Sequence, residues 1–284
     1  MSQSIKIDYK EYPECMFAMI AAYLPSWEAE HLTLVTGKVV FRHQDKYGNT
    51  YKNGLIHSYD DKPAVVKGSI QEWYKDGKLH REGDLPAVET GGNYREWWVN
   101  GNRHREGDMP AVVDGERSQT WYIHGKLHRE GDLPAVETGG NYREWWVNGN
   151  RHREGDLPAL INGNIQEWYK DGKLHREDDL PAVIHDDLRE WYKDGKLHRE
   201  GDFPAVISRD HQAWYKYGKR HREGDLPAVI SGYHQSWYKY GDLHREGDFP
   251  AVIEGNKQEW WVNGKRHREG DLPLTENVTG VVCE

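Results

Sequence analysis

Pairs of aromatic residues set in otherwise polar sequence return at a nearly fixed interval along most of the chain. In the stretch QEWYKDGKLH, residues 71–80, strand-favouring side chains flank a two-residue Asp-Gly centre; other copies carry Asn100-Gly101, Asn148-Gly149 or Asn263-Gly264 there. Such a centre between strand-forming runs predicts a tight β-hairpin. The turn glycine marks each copy, at Gly54, Gly77, Gly101, Gly125, Gly149, Gly172, Gly195, Gly218, Gly241 and Gly264, always 23 or 24 residues apart. A period of this size predicts a stacked repeat array, in which each unit is stabilised by its neighbours. The stretches from Arg81 to Asp108 and from Arg129 to Asp156 are identical letter for letter, so the array grew by duplication.

A two-residue loop also fixes the register. Tyr74 should face Leu79, Trp98 should face Arg103, and Trp73 should face His80. The copies with a Trp-Trp pair (Trp97-Trp98, Trp145-Trp146, Trp260-Trp261) all carry Arg two places after the glycine, at Arg103, Arg151 and Arg266, where an aromatic face can receive it. The following LHREGDLPAV, residues 79–88, carries Pro86, which cannot donate to a ladder and keeps its predecessor extended, and this predicts a bend and then a short return strand. Gly91-Gly92, Gly163-Asn164 and Gly255-Asn256 turn the chain toward the next Trp. Each copy therefore reads as a hairpin plus a return strand. Successive aromatics point to opposite faces of a strand, so one face must pack within or between copies while the other offers Trp or Tyr to solvent or a partner, and the candidate partner-binding set is Trp73, Trp97, Trp121, Trp145, Trp168, Trp191, Trp214, Trp237 and Trp260.

Before the first copy the pattern changes. Pro13 suits a first helical position, and Met16, Met19, Ile20, Tyr23 and Leu24 follow the spacing of an amphipathic helix that Pro25 stops. Ser26 can cap a second helix through Glu30 and Leu32, ending before Gly37, after which Lys38 to His43 reads as the first strand.

Composition narrows the choices. With 36% hydrophobic residues but 13 Trp and 17 Tyr in 284, aromatics must do most of the packing. A net charge of -9 argues against a nucleic-acid or anionic-membrane binder. Only Cys15 and Cys283 are present, so no disulfide framework is expected and a reducing, intracellular setting is the natural reading. The longest apolar run, Cys15 to Leu24, is too short to span a bilayer.

His80, Glu82 and Asp84, with their equivalents in the other copies, invite a metal or acid-base reading. Their spacing is not that of a metal site, and an active site is one constellation with unequal environments rather than a recurring one. Arg81 and Glu82 are expected to form a solvated ladder of alternating charge, and Asp84 to cap the bend before Pro86 by accepting from nearby backbone N–H groups. No catalytic residue, metal or cofactor is expected.

YKDGKLH and WVNGKRH resemble the core of MORN repeats, over about Thr50 to Leu274, in a variant form that carries REGDLPAV and is of a type familiar from giant DNA viruses. That resemblance implies an interaction or spacing module, in host cytoplasm or virion. The segment from Tyr12 to Lys38 resembles an F-box: the Pro-acid start falls on Pro13 and Glu14, the central Ile on Ile20, Tyr-Leu on Tyr23 and Leu24, and the closing run on Leu32, Leu34, Val35 and Thr36. It implies docking to the Skp-type adaptor of a cullin-RING ubiquitin ligase. The alternative is a scaffold or virion repeat protein whose N-terminal helices only cap the array. The expected organisation is an all-β, elongated antiparallel array of about ten hairpin repeats over residues 46–276, behind a small α-helical module at 1–45 and before a tail at 277–284.

Overall fold

A computed structural model describes residues 28–35, 38–267 and 275–277, with side chains from 42 to 267. The described residues form strands, bends and turns, with no helix among them. The chain divides into two units, one of residues 1–116 with 121–125 and one of 117–120 with 126–284.

One copy from the second unit shows how the sequence builds the fold. The strand His211–Ala213 runs up to Trp214, which stands outside the ladder. A separate tight hairpin follows, Tyr215–Lys216 paired with Lys219–Arg220 around Tyr217-Gly218. The His-Arg-Glu-Gly-Asp bend and Pro227 then lead to the return strand Val229–Ser231, which pairs with His211–Ala213 on one side and with His234–Ser236 on the other. Each copy thus adds two strands to a continuous antiparallel sheet and keeps a small hairpin of its own. In the first unit the sheet runs Val65–Lys67, Ile70–Glu72, Val88–Glu89, Tyr94–Glu96 and Val112–Asp114; in the second it runs from Ser118–Thr120 through to Thr275–Asn277.

The register expected from the turns is present. Tyr74 pairs with Leu79 and Trp98 with Arg103, and the His80 N–H donates to the Trp73 carbonyl at 3.0 Å. Asn100 and Gly101 both take left-handed backbone, at φ 50° and 83°, as the primed hairpin turn requires.

Trp214 does not belong to either hairpin, yet its backbone is satisfied: its N–H donates to the Ala228 carbonyl at 2.8 Å and its carbonyl accepts from His221 at 3.0 Å. The alanine after each proline lies where that bond forms, and Ala64, Ala87, Ala111, Ala135, Ala159, Ala182, Ala205, Ala228 and Ala251 are all fully buried. Burial this complete leaves a larger side chain no room without displacing its neighbours. Successive tight hairpins are joined by one backbone-to-backbone bond, such as Gly218 N–H to the Leu197 carbonyl at 2.8 Å, and by a turn N–H donated to the histidine of the copy before, such as Tyr217 to His198.

Two expectations are corrected. The second helix of the N-terminal module is a strand: Glu28–Val35 pairs antiparallel with Lys38–Gln44, with Leu32 opposite Phe41 and Leu34 opposite Val39. Alternation of Leu32 and Leu34 with Thr33, together with β-branched Val35, Val39 and Val40, suits a paired strand better than a capped helix. Leu32, Leu34 and Val35, three F-box-like positions, lie on that strand. The first predicted helix, with Pro13, Glu14, Ile20, Tyr23 and Leu24, and both cysteines lie outside the described residues. The second correction concerns the aromatics, since the first Trp of each pair is not a strand residue exposing one face. The nine indoles are 3 to 8% exposed and form the core.

Candidate interaction surface

Around each buried indole the charged residues of the repeat are spent on one another. The Arg222 guanidinium lies 3.8 Å from the centroid of Trp214. Its Nε and Nη2 donate to the two carboxylate oxygens of Asp202 at 2.7 and 2.8 Å, and its Nη1 donates to the Pro227 carbonyl at 3.2 Å. The same clamp joins Arg81 to Trp73 and Asp61, Arg105 to Trp97 and Asp84, and Arg153, Arg176, Arg199 and Arg245 to their own Trp and to the Asp of the copy before. A planar guanidinium can meet carboxylate, carbonyl and indole face together, which an ammonium cannot. The expected solvated ladder is therefore corrected: the Arg81 side chain is 12% exposed. Asp84 is corrected likewise, since its carboxylate accepts from Arg105 of the next copy. Hydrogen bonding to arginine holds the carboxyls of Asp61, Asp84, Asp132, Asp156, Asp202 and Asp225 below their ordinary range.

The histidines are consumed in the same way. Nδ1 of His80 accepts from the Asn100 N–H at 3.1 Å, while its Nε2 lies 2.9 Å from Glu82. Nδ1 of His221 accepts from the Tyr240 N–H at 3.4 Å, and its Nε2 lies 2.9 Å from Glu223. A backbone N–H can only donate, so the ring carries its proton on Nε2. Among the described residues no three of His, Cys, Asp and Glu converge as a metal site would require. Glu82 and Glu200 are exposed but doubly bound: hydrogen bonds from Lys75 and then His80 lower the first carboxyl to about 2, and Lys193 and then His198 do the same for the second.

Arg103 behaves as the register implied and adds a partner. It lies 4.9 Å from the Trp98 ring and donates to Glu96 at 2.8 Å, a buried carboxylate that also accepts from Tyr94 and Trp98. Arg151 repeats this with Trp146 and Glu144.

What the clamps leave exposed is the residue between Asp and Pro. After the first copy, which carries Lys62 there, it is apolar in each described copy: Leu85 and Met109 in the first unit, and Leu133, Leu157, Leu180, Phe203, Leu226 and Phe249 in the second, all between 39 and 58% exposed. Beside this row run grooves between successive copies. One of about 490 Å³ is lined by Leu226, Phe249, Trp237, Tyr238, Glu223 and Glu246, among others. A second, of about 370 Å³, lies beside Phe203, Trp214 and Tyr215. The indoles expected to meet a partner thus supply groove walls from within the core, and the exposed contacts come from a position that sequence reasoning passed over. Its signal was present: from Leu85 onward the residue between Asp and Pro is always Leu, Met or Phe, with Lys62 in the first copy as the exception.

Among the described residues no helix is long and apolar enough to cross a membrane. Compared with family models, curated proteins and solved structures, the chain matches none of them.

Proposed function

We propose that the protein is a non-enzymatic interaction array that holds an extended segment of a protein partner along the Asp-x-Pro row of its second unit. The observation that carries this reading is the recurrence of an exposed large apolar side chain at one position of a framework whose charges are internally paired. A soluble surface does not keep such a row without use for it. Two sheet strands per copy at about 4.8 Å place successive row residues about 10 Å apart, and an extended chain rises about 3.3 Å per residue, so every third residue of the partner meets the row. Glu223 and Glu246 border the same groove, and a net charge of -9 favours basic residues between the anchors. The resemblance to MORN repeats, modules of interaction and spacing, supports the same reading.

Docking of a Skp-type adaptor is the finer part of that reading. The strand over Glu28–Val35 gives it no support, and the proposal rests on the repeats.

A synthetic peptide with Leu at every third position and Lys or Gln between them tests the proposal, titrated into the full chain with tryptophan emission as readout. Replacing Phe203 and Phe249 together by Ser is expected to weaken binding by about tenfold or more, with the melting midpoint held. Equal binding by that variant, or by a peptide of the same composition with its Leu residues clustered, overturns the proposal.

A further inference from the structure

Five Asn-Gly pairs occur in the chain: Asn53-Gly54, Asn100-Gly101, Asn148-Gly149, Asn162-Gly163 and Asn263-Gly264. In such a pair the glycine's backbone nitrogen can attack the asparagine side-chain carbonyl carbon, because no Cβ obstructs the five-membered ring that forms. Whether it does so in a folded protein depends on how firmly that nitrogen and its turn are held.

The array treats the five differently. Gly101, Gly149 and Gly264 each donate their N–H, at 2.9 Å, to a carbonyl of the preceding copy: Leu79, Leu127 and Leu243. Gly54 belongs to the first copy, and the strands before it, Glu28–Val35 and Lys38–Gln44, are not a repeat hairpin that could present the equivalent carbonyl. Among the described residues no backbone acceptor meets its N–H. Turn shape does not distinguish these four, since Asn53, Asn100, Asn148 and Asn263 have φ of 49°, 50°, 52° and 49°. Asn162 is a different case: it is a sheet residue paired with Tyr142 on one side and Ile165 on the other, which holds its backbone extended.

We propose that Asn53 is a site of spontaneous covalent modification, set apart from the other three hairpin-turn asparagines by the lack of an inter-repeat backbone bond at Gly54 among the described residues, and from Asn162, whose Gly163 N–H also meets no backbone acceptor, by lying in a left-handed turn rather than in the sheet. The Gly54 nitrogen forms a bond to Cγ of Asn53, its proton passes to the side-chain amide nitrogen, the Cγ–N bond of that amide breaks, and ammonia leaves. Water then opens the cyclic imide. Cleavage between Cγ and the ring nitrogen gives aspartate on an ordinary backbone; cleavage at the main-chain carbonyl leaves the chain running through Cγ as isoaspartate. The aspartate product fits the turn, because Asp76, Asp171 and Asp194 occupy the same position with φ of 48°, 50° and 50°. Isoaspartate lengthens the turn by one backbone carbon and disrupts the pairing of Lys52 with Leu55.

Incubation of the full chain at mildly alkaline pH, followed by digestion and peptide mass mapping, tests this against the same chain in denaturant. Once unfolded, all five pairs are expected to convert at comparable rates. In the folded chain Asn53 is expected to convert about tenfold faster than the others, because their turns or strands must first open locally. Conversion of any other pair as fast as Asn53 in the folded chain, while the denatured rates agree, overturns the proposal.

Discussion

Asp202 and Arg222 stand twenty residues apart in sequence, one repeat from the other, and meet through two hydrogen bonds of 2.7 and 2.8 Å while the guanidinium covers Trp214. The contact joins neighbouring copies and closes the side of the indole that would otherwise meet water. Removing either partner should weaken the array unequally. Arg222→Lys loses the fork and the stacked plane together and is expected to cost about 1 to 2 kcal/mol, whereas Asp202→Asn, at a half-exposed carboxylate, should cost about 1 kcal/mol or less. Urea unfolding of the two variants checks the order.

Ala205 tests the packing argument. It is fully buried, its N–H donates to Ala213 at 2.9 Å, and its carbonyl accepts from Trp191 at 2.8 Å. Ala205→Leu forces extra methylenes into that contact and is expected to cost about 1 to 3 kcal/mol. Trp214→Ala, which empties the neighbouring core position, should cost about 3 to 5 kcal/mol. Both are read from the urea midpoint at unchanged slope.

The tight hairpins were legible in the sequence because their information is local. Asn100-Gly101 states its own turn type, and the turn states that Trp98 faces Arg103. The clamp was not legible in the same way. Asp84 meets Arg105 twenty-one residues on, and nothing within one copy says that the two approach. Once the period is known, that partner is the natural one, but choosing it over a local backbone cap requires the stacking of copies as well as their spacing. The same missing step sent the indoles outward. The stretch at Glu28–Val35 failed for another reason: Ser26 and Glu30 offer a helical start, but pairing with Lys38–Gln44 satisfies the backbone of a β-branched run, and tertiary pairing overrides a local cap.

Acid should loosen the array in two stages. Burial, and then the nearby Lys52, lower the pKa of His57 from 6.5, and its Nδ1 accepts from the Asp76 N–H at 3.0 Å. A histidine with a depressed folded pKa binds protons more readily when unfolded, so its contribution is complete above 6.5 and is lost as pH falls below that value. The clamp carboxylates and Glu82 and Glu200 are also depressed. Their contribution is complete above ordinary carboxylate values and is lost as pH falls further, for the two glutamates toward about 2. Thermal melts across this range should show a shallow decline just below neutrality and a steeper one in the carboxylate range. Burial lowers the pKa of His43 as well, so His57→Gln is expected to reduce the first decline and leave the second in place.

Tyr217 and Tyr240 stand where most copies carry Asn or Asp, in left-handed backbone at φ 48° and 49°. A bulky side chain there costs about 1 to 2 kcal/mol. Each ring has a compensating contact, stacking on the histidine of the copy before: His198 with Tyr217 and His221 with Tyr240, both at 4.2 Å with the planes 9° apart. A stacked aromatic pair contributes about 0.5 to 1.5 kcal/mol, close to the strain it offsets. Tyr217→Asn relieves the strain and loses the stack, and should leave stability within about 0.5 kcal/mol of the parent. Tyr217→Val keeps the strain, adds a branched Cβ and loses the stack, and should cost clearly more, about 1 to 2 kcal/mol. If the two variants melt alike, the stack does not offset the turn, and the tyrosines at these positions are held by something other than His198 and His221.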